Sequence, residues 1–479
     1  MQHVIRKQTI TLYLSGTTRA AAFHLQQELS KHYWQEILPE IEKVFDAAST
    51  ENEVICIDRL EIDLGKVTSQ ELTGQRLPAP LLDSIRRQLR AGIAAAVASG
   101  KVEPVAVNIY GHWLSYMQKG YVPWNTVKIT EEWYSKVLEA LATEVESVRM
   151  LVSLLRSDPI VRYRIIQQHS TDFLIRLAGI LIPDGLADLP AMIRELTTLL
   201  ERLLARGVKL AGITQGRVTI HAIIWDEILK AIARHESGLS SQRLARIILE
   251  QVVPSGERRK LLQSIPSEVA ILEPVVRAWK QEGFVDVEKE AGTTIGEGVE
   301  ASLPEDDRPG LKDDVIFVQA AGVILLHPFL SQFFSRLQLV EAGAFTDRSA
   351  RQKALYLVHY LATANVRAQE HELVMPKLLC GYPFHVPVNA DLHITQTETD
   401  EADHLLDEVI HQWDVLKSTT REGLREGFLR RPGKLSTKNG HWRLQVESNA
   451  IDVLLDQLPW NLNLIKLPWM KEMLMVEWR

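Results

Sequence analysis

Two short segments near the N-terminus alternate apolar and polar residues with a period of two, and a helical pattern separates them. Residues 9–14 form the first alternating segment, and residues 59–64 form the second, which ends at Gly65. The apolar residues between them recur at helical spacing, and Pro39 falls inside that run. This order predicts a half-buried strand, a helix kinked or divided at the proline, and a second strand. We expect a small sheet with the helix packed across one face.

From Pro104 to about residue 282 the apolar periodicity is almost wholly helical, and another helix is predicted over residues 81–98. Breaks rich in glycine and proline divide the pattern into helices of ordinary length, without the long heptad run of a coiled coil. The clearest apolar stripes are Trp133, Val137, Leu138 and Leu141; Ile193, Leu196, Leu200, Leu203 and Leu204; and Ile220, Ile223, Ile224, Ile228 and Ile232.

Residues 286–314 differ from the rest of the chain in composition. Ten acidic and three basic residues give this segment a charge of −7, which equals the formal net charge of the whole chain. The segment is also rich in glycine and proline and has few large apolar residues. This composition predicts a flexible linker extended by its own charge. The remainder of the chain is near neutral, so the overall acidity does not indicate a basic partner.

The chain after this linker is predicted to be helical up to residue 379 and again over residues 403–428. Residues 433–440 are interpreted as a polar, turn-rich segment, and alternation at 441–447 and 462–464 predicts strands. The predicted fold class is therefore mainly α with minor β (α+β). The predicted parts are an N-terminal α/β module at 1–103, a helical middle domain at 104–285, the acidic linker at 286–314, and a helical domain with a tryptophan-rich β tail at 315–479.

Tryptophan is concentrated near the C-terminus. Two identical Leu-Pro-Trp tripeptides end at Trp460 and Trp469, and a related Val-Pro-Trp ends at Trp124. Tryptophan is favoured at protein interfaces because it buries a large area at low entropic cost. A tryptophan-rich core of a small β-containing domain explains the same pattern equally well. The candidate interface residues are Arg59, Trp124, Trp442, Trp460, Trp469 and Trp478; Arg59 is included because it lies on the charged side of the second predicted strand.

Motifs for catalysis or cofactor binding are weak. His371-Glu372 begins like a zinc-protease helix, but Met375 stands where the second histidine ligand would be required. His404 and His411 are two helical turns apart, about 10 Å, which is too far for one metal ion. The sequence contains no phosphate-binding loop, dinucleotide fingerprint or serine nucleophile elbow. We expect no cofactor and no metal.

Composition excludes several classes of protein. The chain has 479 residues, of which 46% are hydrophobic and 24% charged, and it has two cysteines. Two distant cysteines cannot form a disulfide scaffold or a cysteine-rich zinc module. A mildly acidic chain lacks the basic face of a non-specific nucleic-acid binder. The sequence also shows no signal peptide and no apolar run long enough to cross a bilayer, so we expect neither membrane nor nucleic acid as a partner.

The order of these landmarks resembles the tape measure protein family of contractile injection systems, the phage-tail-like particles of the antifeeding-prophage type. The resemblance covers both ends of the chain and is looser between residues 125 and 314. The matching residues are 10–26, 38–42 and 57–65 at the N-terminus, 120–124 in the first half, and 322–330, 348–361 and 452–478 at the C-terminus.

The resemblance implies a non-enzymatic assembly protein that sets tube length or joins tube and baseplate. Its implied partners are the tail tube protein, the baseplate hub and the terminator or cap protein, and a homo-oligomer is left open. It implies a cytoplasmic location in the producing bacterium and a place in the lumen or baseplate of the finished particle.

Two alternatives remain from the residues alone. One is a compact cytosolic chaperone or adaptor that loads other components and is absent from the mature particle. The other is an enzyme whose site lies around Cys380 and His385, which would need a reactive thiol. The frequent prolines and glycines also leave open whether the chain works as an extended ruler or as a compact factor.

Overall fold

Short α-helices carry most of the chain: 62% of the structure is helical and 8% is strand. The predicted fold class, mainly α with minor β, is confirmed. The computed structural model describes residues 3–5, 8–15, 17–48, 50, 52–126, 128–182, 188–211, 219–234, 239–257, 271–282, 315–390, 392–438 and 440–478.

The described residues contain eighteen α-helices and nine strands, joined by shorter helical turns. The α-helices are α1 (Arg19–His32), α2 (Leu38–Ala48), α3 (Ser69–Thr73), α4 (Ala79–Ala98), α5 (Val105–Lys119), α6 (Glu131–Thr143), α7 (Val145–Ser157), α8 (Pro159–Gln168), α9 (Thr171–Leu181), α10 (Leu189–Ala205), α11 (Ile220–Ala233), α12 (Ser241–Val252), α13 (Leu272–Glu282), α14 (His327–Arg336), α15 (Arg348–Thr363), α16 (Val374–Leu379), α17 (Gln396–Gln412) and α18 (Arg421–Leu424). The strands are β1 (Glu53–Ile55), β2 (Val102–Pro104), β3 (Ile316–Val318), β4 (Val340–Glu341), β5 (Ala344–Phe345), β6 (Gly433–Lys438), β7 (His441–Val446), β8 (Leu464–Ile465) and β9 (Leu474–Glu477).

The chain divides into two units. Unit 1 contains Met1–His112 and Asn125–Glu144, and unit 2 contains Trp113–Trp124 and Val145–Arg479. The four-part division predicted from the sequence stays a prediction, and the proposed linker at 286–314 lies outside the described residues.

Unit 1 begins with a helix that is divided, as predicted, next to Pro39. A π-helical turn at Tyr33–Ile37 joins α1 to α2, and the Leu38 N–H donates to the Tyr33 carbonyl. The wider turn lies immediately before a residue that has no N–H to donate, which is where a helix is most easily distorted. The apolar side of α2 then packs against α4 in a core that includes Ile41, Ile85 and Leu89.

The two strands predicted in unit 1 are wrong in position. Residues 9–14 and 59–64 form no strand, and the only pairing among the described residues of unit 1 is β1 with β2, in antiparallel register. Burial nevertheless alternates along 60–64, because Leu60, Ile62 and Leu64 pack against the core and the residues between them are exposed. A side chain replaces the missing strand, since Gln88 Nε2 donates to the Asp63 carbonyl over 2.7 Å and Gln88 Oε1 accepts from the Asp63 N–H over 2.9 Å. Alternation predicted the buried side but not the hydrogen-bond partner.

Helices α7 to α12 of unit 2 pack around α11, which contacts α7, α8, α10 and α12. Ten of the residues of α11 are buried, including Trp225, so this helix is apolar on nearly all sides. The predicted apolar stripe of α10 is confirmed, because Ile193, Leu196, Leu200 and Leu203 are all buried.

A five-stranded sheet of unit 2 lies near the C-terminus in the order β3-β6-β7-β9-β8, with only the β7–β9 pair parallel. One face is buried and carries Leu435, Leu444 and Val476 in one row across three strands. The other face is polar, and Arg443 and Glu477 form an ion pair on it. The sheet therefore packs against the helices on one side only.

Strands β6 and β3 lie where the sequence predicted other structure. Residues 433–440 are not a turn-rich segment, because Gly433–Lys438 form strand β6 between β3 and β7. Ile316–Val318 form strand β3 in a region predicted to be helical. The pattern of β6 is weak because its inward positions hold Gly433 and only one large apolar residue, Leu435. A side chain at position 433 would collide with Ala321, which accounts for the glycine.

The core of unit 2 is closely packed at Gly322. A Cβ atom at this position would overlap the carbonyl group of Phe428, which is backbone and cannot rotate away. We expect Gly322→Ala to lower the free energy of unfolding by about 1–3 kcal/mol or more. Urea unfolding followed by tryptophan fluorescence measures the change.

The matched control is Gly179→Ala in α9, where an added Cβ would meet no atom within 4 Å. This change should raise stability by up to about 1 kcal/mol because alanine is the better helix former. Equal effects at the two positions would contradict the close packing of Gly322.

Candidate functional site

The C-terminal tryptophans lie within the core of unit 2. Trp442 and Trp469 are buried, whereas Trp460 and Trp478 are half-buried and pack against the same core. The ring of Trp469 lies 5.0 Å from that of Phe345. Such aromatic pairs add about 0.5–1.5 kcal/mol beyond the area that they bury.

The tryptophan of each Leu-Pro-Trp unit also donates a hydrogen bond to a carbonyl of a helical segment elsewhere in the chain. The indole N–H of Trp460 donates to the carbonyl of Leu325 over 3.1 Å, and that of Trp469 donates to the carbonyl of Leu379 over 2.8 Å. Leu325 lies near the end of the turn Ala321–Leu326, and Leu379 is the last residue of α16. Carbonyl groups in the last turn of a helix have no partner inside that helix, so the Trp469 indole caps the end of α16, whereas the turn that holds Leu325 leads directly into α14.

The remaining candidate residues lie nearer the surface. Arg59 is 81% exposed and forms an ion pair with Glu61 on the charged side of residues 59–64. Trp124 is half-buried. The candidate interface is therefore divided between exposed, half-buried and fully buried side chains, and its role in binding other proteins stays a prediction.

A buried ionic cluster of Arg164, Glu370 and Lys377 occupies the interior of unit 2. These side chains are at most 1% exposed. Arg164 Nε lies 3.0 Å from Glu370 Oε2, and Lys377 Nζ lies 2.5 Å from Glu370 Oε1. One carboxylate therefore binds two cations that belong to different helices, α8 and α16.

Backbone carbonyls satisfy the remaining donors of the ionic cluster. Arg164 donates to the carbonyls of Met117 and Gln118 at the end of α5, and to that of His385 over 2.5 Å. Lys377 Nζ donates to the carbonyls of Phe384 and Val386, each over 2.9 Å. The two cations thus fix one loop and one helix end against the carboxylate.

Local sequence places Arg164 of the ionic cluster on α8. The carboxylate of Asp158 caps α8 by accepting from the N–H groups of Ile160 and Val161, and Pro159 begins the helix. Arg164 follows Val161 by three residues and so lies on the buried face of α8. That position on an apolar face is the signal by which sequence analysis could have found the cluster, which it missed.

Gly120 completes the surroundings of the ionic cluster. Its φ angle is +81°, and a Cβ atom there would collide with the Phe384 carbonyl and the Glu370 carboxylate. Only glycine combines this backbone conformation with so close an approach. Burial lowers the pKa of Lys377 to about 8, and the neighbouring Glu370 opposes that shift. The charged groups of the cluster bind one another and backbone carbonyls of the same chain. This arrangement holds the surrounding helices and loop in place.

His169 forms a second buried polar contact in unit 2. Its Nδ1 lies 2.8 Å from the carbonyl of Ile165, so it carries the proton, and its Nε2 accepts from the indole N–H of Trp113 over 2.9 Å. A protonated ring would turn Nε2 into a second donor facing the indole. Burial lowers the pKa of His169 to about 4.

The cysteine and histidine residues considered for catalysis or metal binding lie in surroundings that do not favour either role. Cys380 is fully buried, and burial raises the pKa of its thiol well above the ordinary value, which disfavours the reactive thiolate. Met375 is buried, and the ring of His371 lies 5.5 Å from that of Tyr116. Within the described residues, histidine, cysteine and carboxylate side chains form no group of three that could hold a metal ion. No helix in that part of the chain is long and apolar enough to cross a membrane.

The buried charges and indoles bind the chain's own backbone within a mainly helical fold, so these groups stabilise the structure of unit 2. The family model of the contractile injection system tape measure protein matches residues 2–478, and the chain belongs to this family. The family is structural and non-enzymatic. Searches of curated proteins and of solved structures found no match to the chain.

Removing one charged side chain of the ionic cluster should strongly lower the stability of unit 2. We expect Arg164→Met to lower the free energy of unfolding by about 3–5 kcal/mol, because Glu370 loses one of its two cations inside the core. Urea unfolding measures the change. The control is Arg176→Met in α9, whose ion pair with Asp172 is 61% and 71% exposed, and which should cost less than about 1 kcal/mol. Similar costs for the two variants would contradict the role of the cluster.

His169 predicts loss of stability in acid. The unfolded chain takes up a proton as the pH falls below the ordinary histidine value of 6.5, whereas the folded chain resists protonation down to about pH 4. The free energy of unfolding therefore decreases between these values by about 1.4 kcal/mol per pH unit for this histidine. His359 and His371, whose pKa values burial also lowers to about 4, add to the effect.

We expect His169→Gln to remove about 2 kcal/mol of the stability difference between pH 6.5 and pH 4.5. Urea unfolding at both pH values measures it for the wild type and the variant. Gly179→Ala provides the control, because it removes no titratable group and should leave the pH dependence unchanged. A variant with the same pH dependence as the wild type would contradict the assignment.

Proposed function

We propose that the chain is a non-enzymatic assembly protein of a contractile injection particle, which controls tube length or joins tube and baseplate as a folded body. The family match carries this proposal. It covers residues 2–478, so both units fall within the sequence that defines the family.

The helices favour a folded factor over a fully extended ruler. The longest helix among the described residues, α4, has 20 residues and would span about 30 Å, so no single helix in that part of the chain supplies the length of a tail tube. Extending unit 2 would separate segments near residues 117, 164, 370 and 385 and would expose or unpair the ionic cluster. Extension would also expose the apolar core of unit 2 to water, which opposes it because burial of apolar surface is the dominant favourable term in folding.

The proposed partners are the tail tube protein, the baseplate hub and the terminator or cap protein. The proposed location is the cytoplasm of the producing bacterium during assembly, and then the lumen or baseplate of the particle. A cytosolic chaperone or adaptor is the second candidate. Exposed apolar side chains in unit 1, such as Phe23 and Trp34, favour it because chaperones bind clients through apolar surfaces.

A disulfide across strands β3 and β6 distinguishes a folded factor from an extended ruler. Phe317 and Lys434 are paired in antiparallel register, where Cα atoms lie about 4.5–5.5 Å apart, a separation that a disulfide accepts. The double variant Phe317→Cys and Lys434→Cys, oxidised, closes the chain between these positions. We expect tubes of normal length in electron micrographs, because the folded body already holds the two residues together.

An extended ruler would instead give tubes shorter by about a quarter, which is the share of the chain inside the closed loop. That result, or loss of particles only under oxidising conditions, would contradict the folded-factor proposal. The two single-cysteine variants and the reduced double variant are the controls. Mass spectrometry of the same particles separates the candidates, because a chaperone would be absent from them.

A further inference from the structure

Exposed apolar side chains are concentrated at the start of unit 1. Of the sixteen large hydrophobic side chains that are exposed in the described residues, eight lie between residues 4 and 34. Tyr13 is 92% exposed and Phe23 is 61% exposed. Scattered exposed apolar residues are ordinary, but a contiguous group marks a surface that binds another protein.

Part of this apolar group forms an open groove of about 900 Å³. Ile10, Leu12 and Leu14 line it from the segment 9–14, and Phe23 and Leu29 line it from α1. The hydroxyl of Tyr33 donates to Gln8 Oε1 over 2.6 Å, which fixes the start of the segment next to the first helices. We call this site the N-terminal groove.

The segment 9–14 has the sequence of a strand but lacks a strand partner. Its residues alternate, so that Ile10, Leu12 and Leu14 face the groove and Tyr13 lies between them. Within the described part of the chain, no backbone N–H or carbonyl of residues 9–14 takes part in a hydrogen bond. A row of unpaired backbone groups beside an apolar groove is the arrangement that accepts an added strand.

The charge of this region indicates which strand would bind. Residues 1–34 contain four basic residues and one acidic residue, in a chain whose net charge is −7. One of the basic residues, Arg19, lines the groove itself. A second copy of the same segment would bring the same positive charge, whereas an acidic strand would be attracted.

We propose that the N-terminal groove binds an acidic, extended segment of a neighbouring protein, which pairs with residues 9–14 as an added β-strand. Apolar side chains of that segment enter the groove, and its carboxylates lie near Arg19. That the neighbour is an injection-particle component rests on the proposed function. Binding of such a strand does not, and it is tested separately.

The first test uses a synthetic peptide of alternating valine and glutamate, labelled for fluorescence anisotropy, with the full chain. A peptide with lysine in place of glutamate is the matched control. We expect the glutamate peptide to bind at least tenfold more tightly at low salt, because the region is basic. Equal binding of the two peptides, or binding of neither, would overturn the proposal.

Two substitutions on adjacent residues test whether the peptide occupies the groove. Leu12→Ser removes an apolar side chain that lines the groove and should weaken binding of the glutamate peptide at least tenfold. Tyr13→Ser changes a side chain that does not line it and should leave binding unchanged. Both side chains are exposed, so neither change removes core packing. A larger loss for Tyr13→Ser would place the peptide elsewhere.

Backbone methylation tests strand pairing. Two versions of the glutamate peptide carry N-methyl groups on alternate amides, either at odd or at even positions. Only one set of alternate amides faces the paired strand, so one version should lose at least tenfold in affinity and the other should keep it. Equal affinities of the two versions would exclude strand addition.

Sedimentation equilibrium tests the rival occupant, a second copy of this chain. A dimer that Leu12→Ser dissociates would overturn the proposal in favour of self-association. If peptide binding is confirmed but Leu12→Ser leaves particle assembly unchanged, the groove stands and the proposed function of this unit in assembly fails. The two failures are therefore distinguishable.

Discussion

The two ion pairs of the Glu370 carboxylate hold together the interior of unit 2. The carboxylate binds Arg164 and Lys377 in the interior, and the two cations bind carbonyls at the end of α5 and in the loop around residue 385. Three elements that are distant in sequence are thus joined by charges at most 1% exposed. A buried ion pair contributes little net stability compared with apolar residues, but losing one partner is costly. The cluster therefore disfavours compact arrangements that leave one of the three charges buried without its partner.

This constraint bears on how a tape measure protein can act. A chain that measures length by extension must separate its segments, and here separation would break the ionic cluster and expose the apolar core of unit 2 to water. The tryptophans strengthen the same conclusion, because the indoles of Trp460 and Trp469 bind carbonyls inside unit 2. These tryptophans stabilise the folded unit 2. Other proteins must then be bound through residues that are exposed on the surface. In the described residues, exposed apolar side chains are most concentrated at the start of unit 1.

Sequence patterns predicted the helices and their buried faces well, because apolar periodicity reports directly which side of an element is covered. The stripe in α10 and the alternation of β7 are examples. Strand β6 was missed because Gly433 occupies an inward position, where close backbone approach and not side-chain burial decides the residue. The ionic cluster was missed because Arg164 lies 206 residues from Glu370 in sequence, and only the place of Arg164 on an apolar helix face gave a local signal.

The segments 9–14 and 60–64 show why a strand pattern alone does not define a strand. Both alternate, and both were predicted to pair, yet neither forms a strand in the structure. Along 60–64 the apolar residues pack against the core, and the Gln88 side chain forms hydrogen bonds with the backbone of Asp63. Unit 1 therefore supplies both the apolar contacts and a backbone partner for this segment. Along 9–14 the apolar residues stay exposed at a groove, and the backbone is unpaired within the described chain. Since the two patterns are alike and only one is satisfied, the simplest source of the missing strand is another protein.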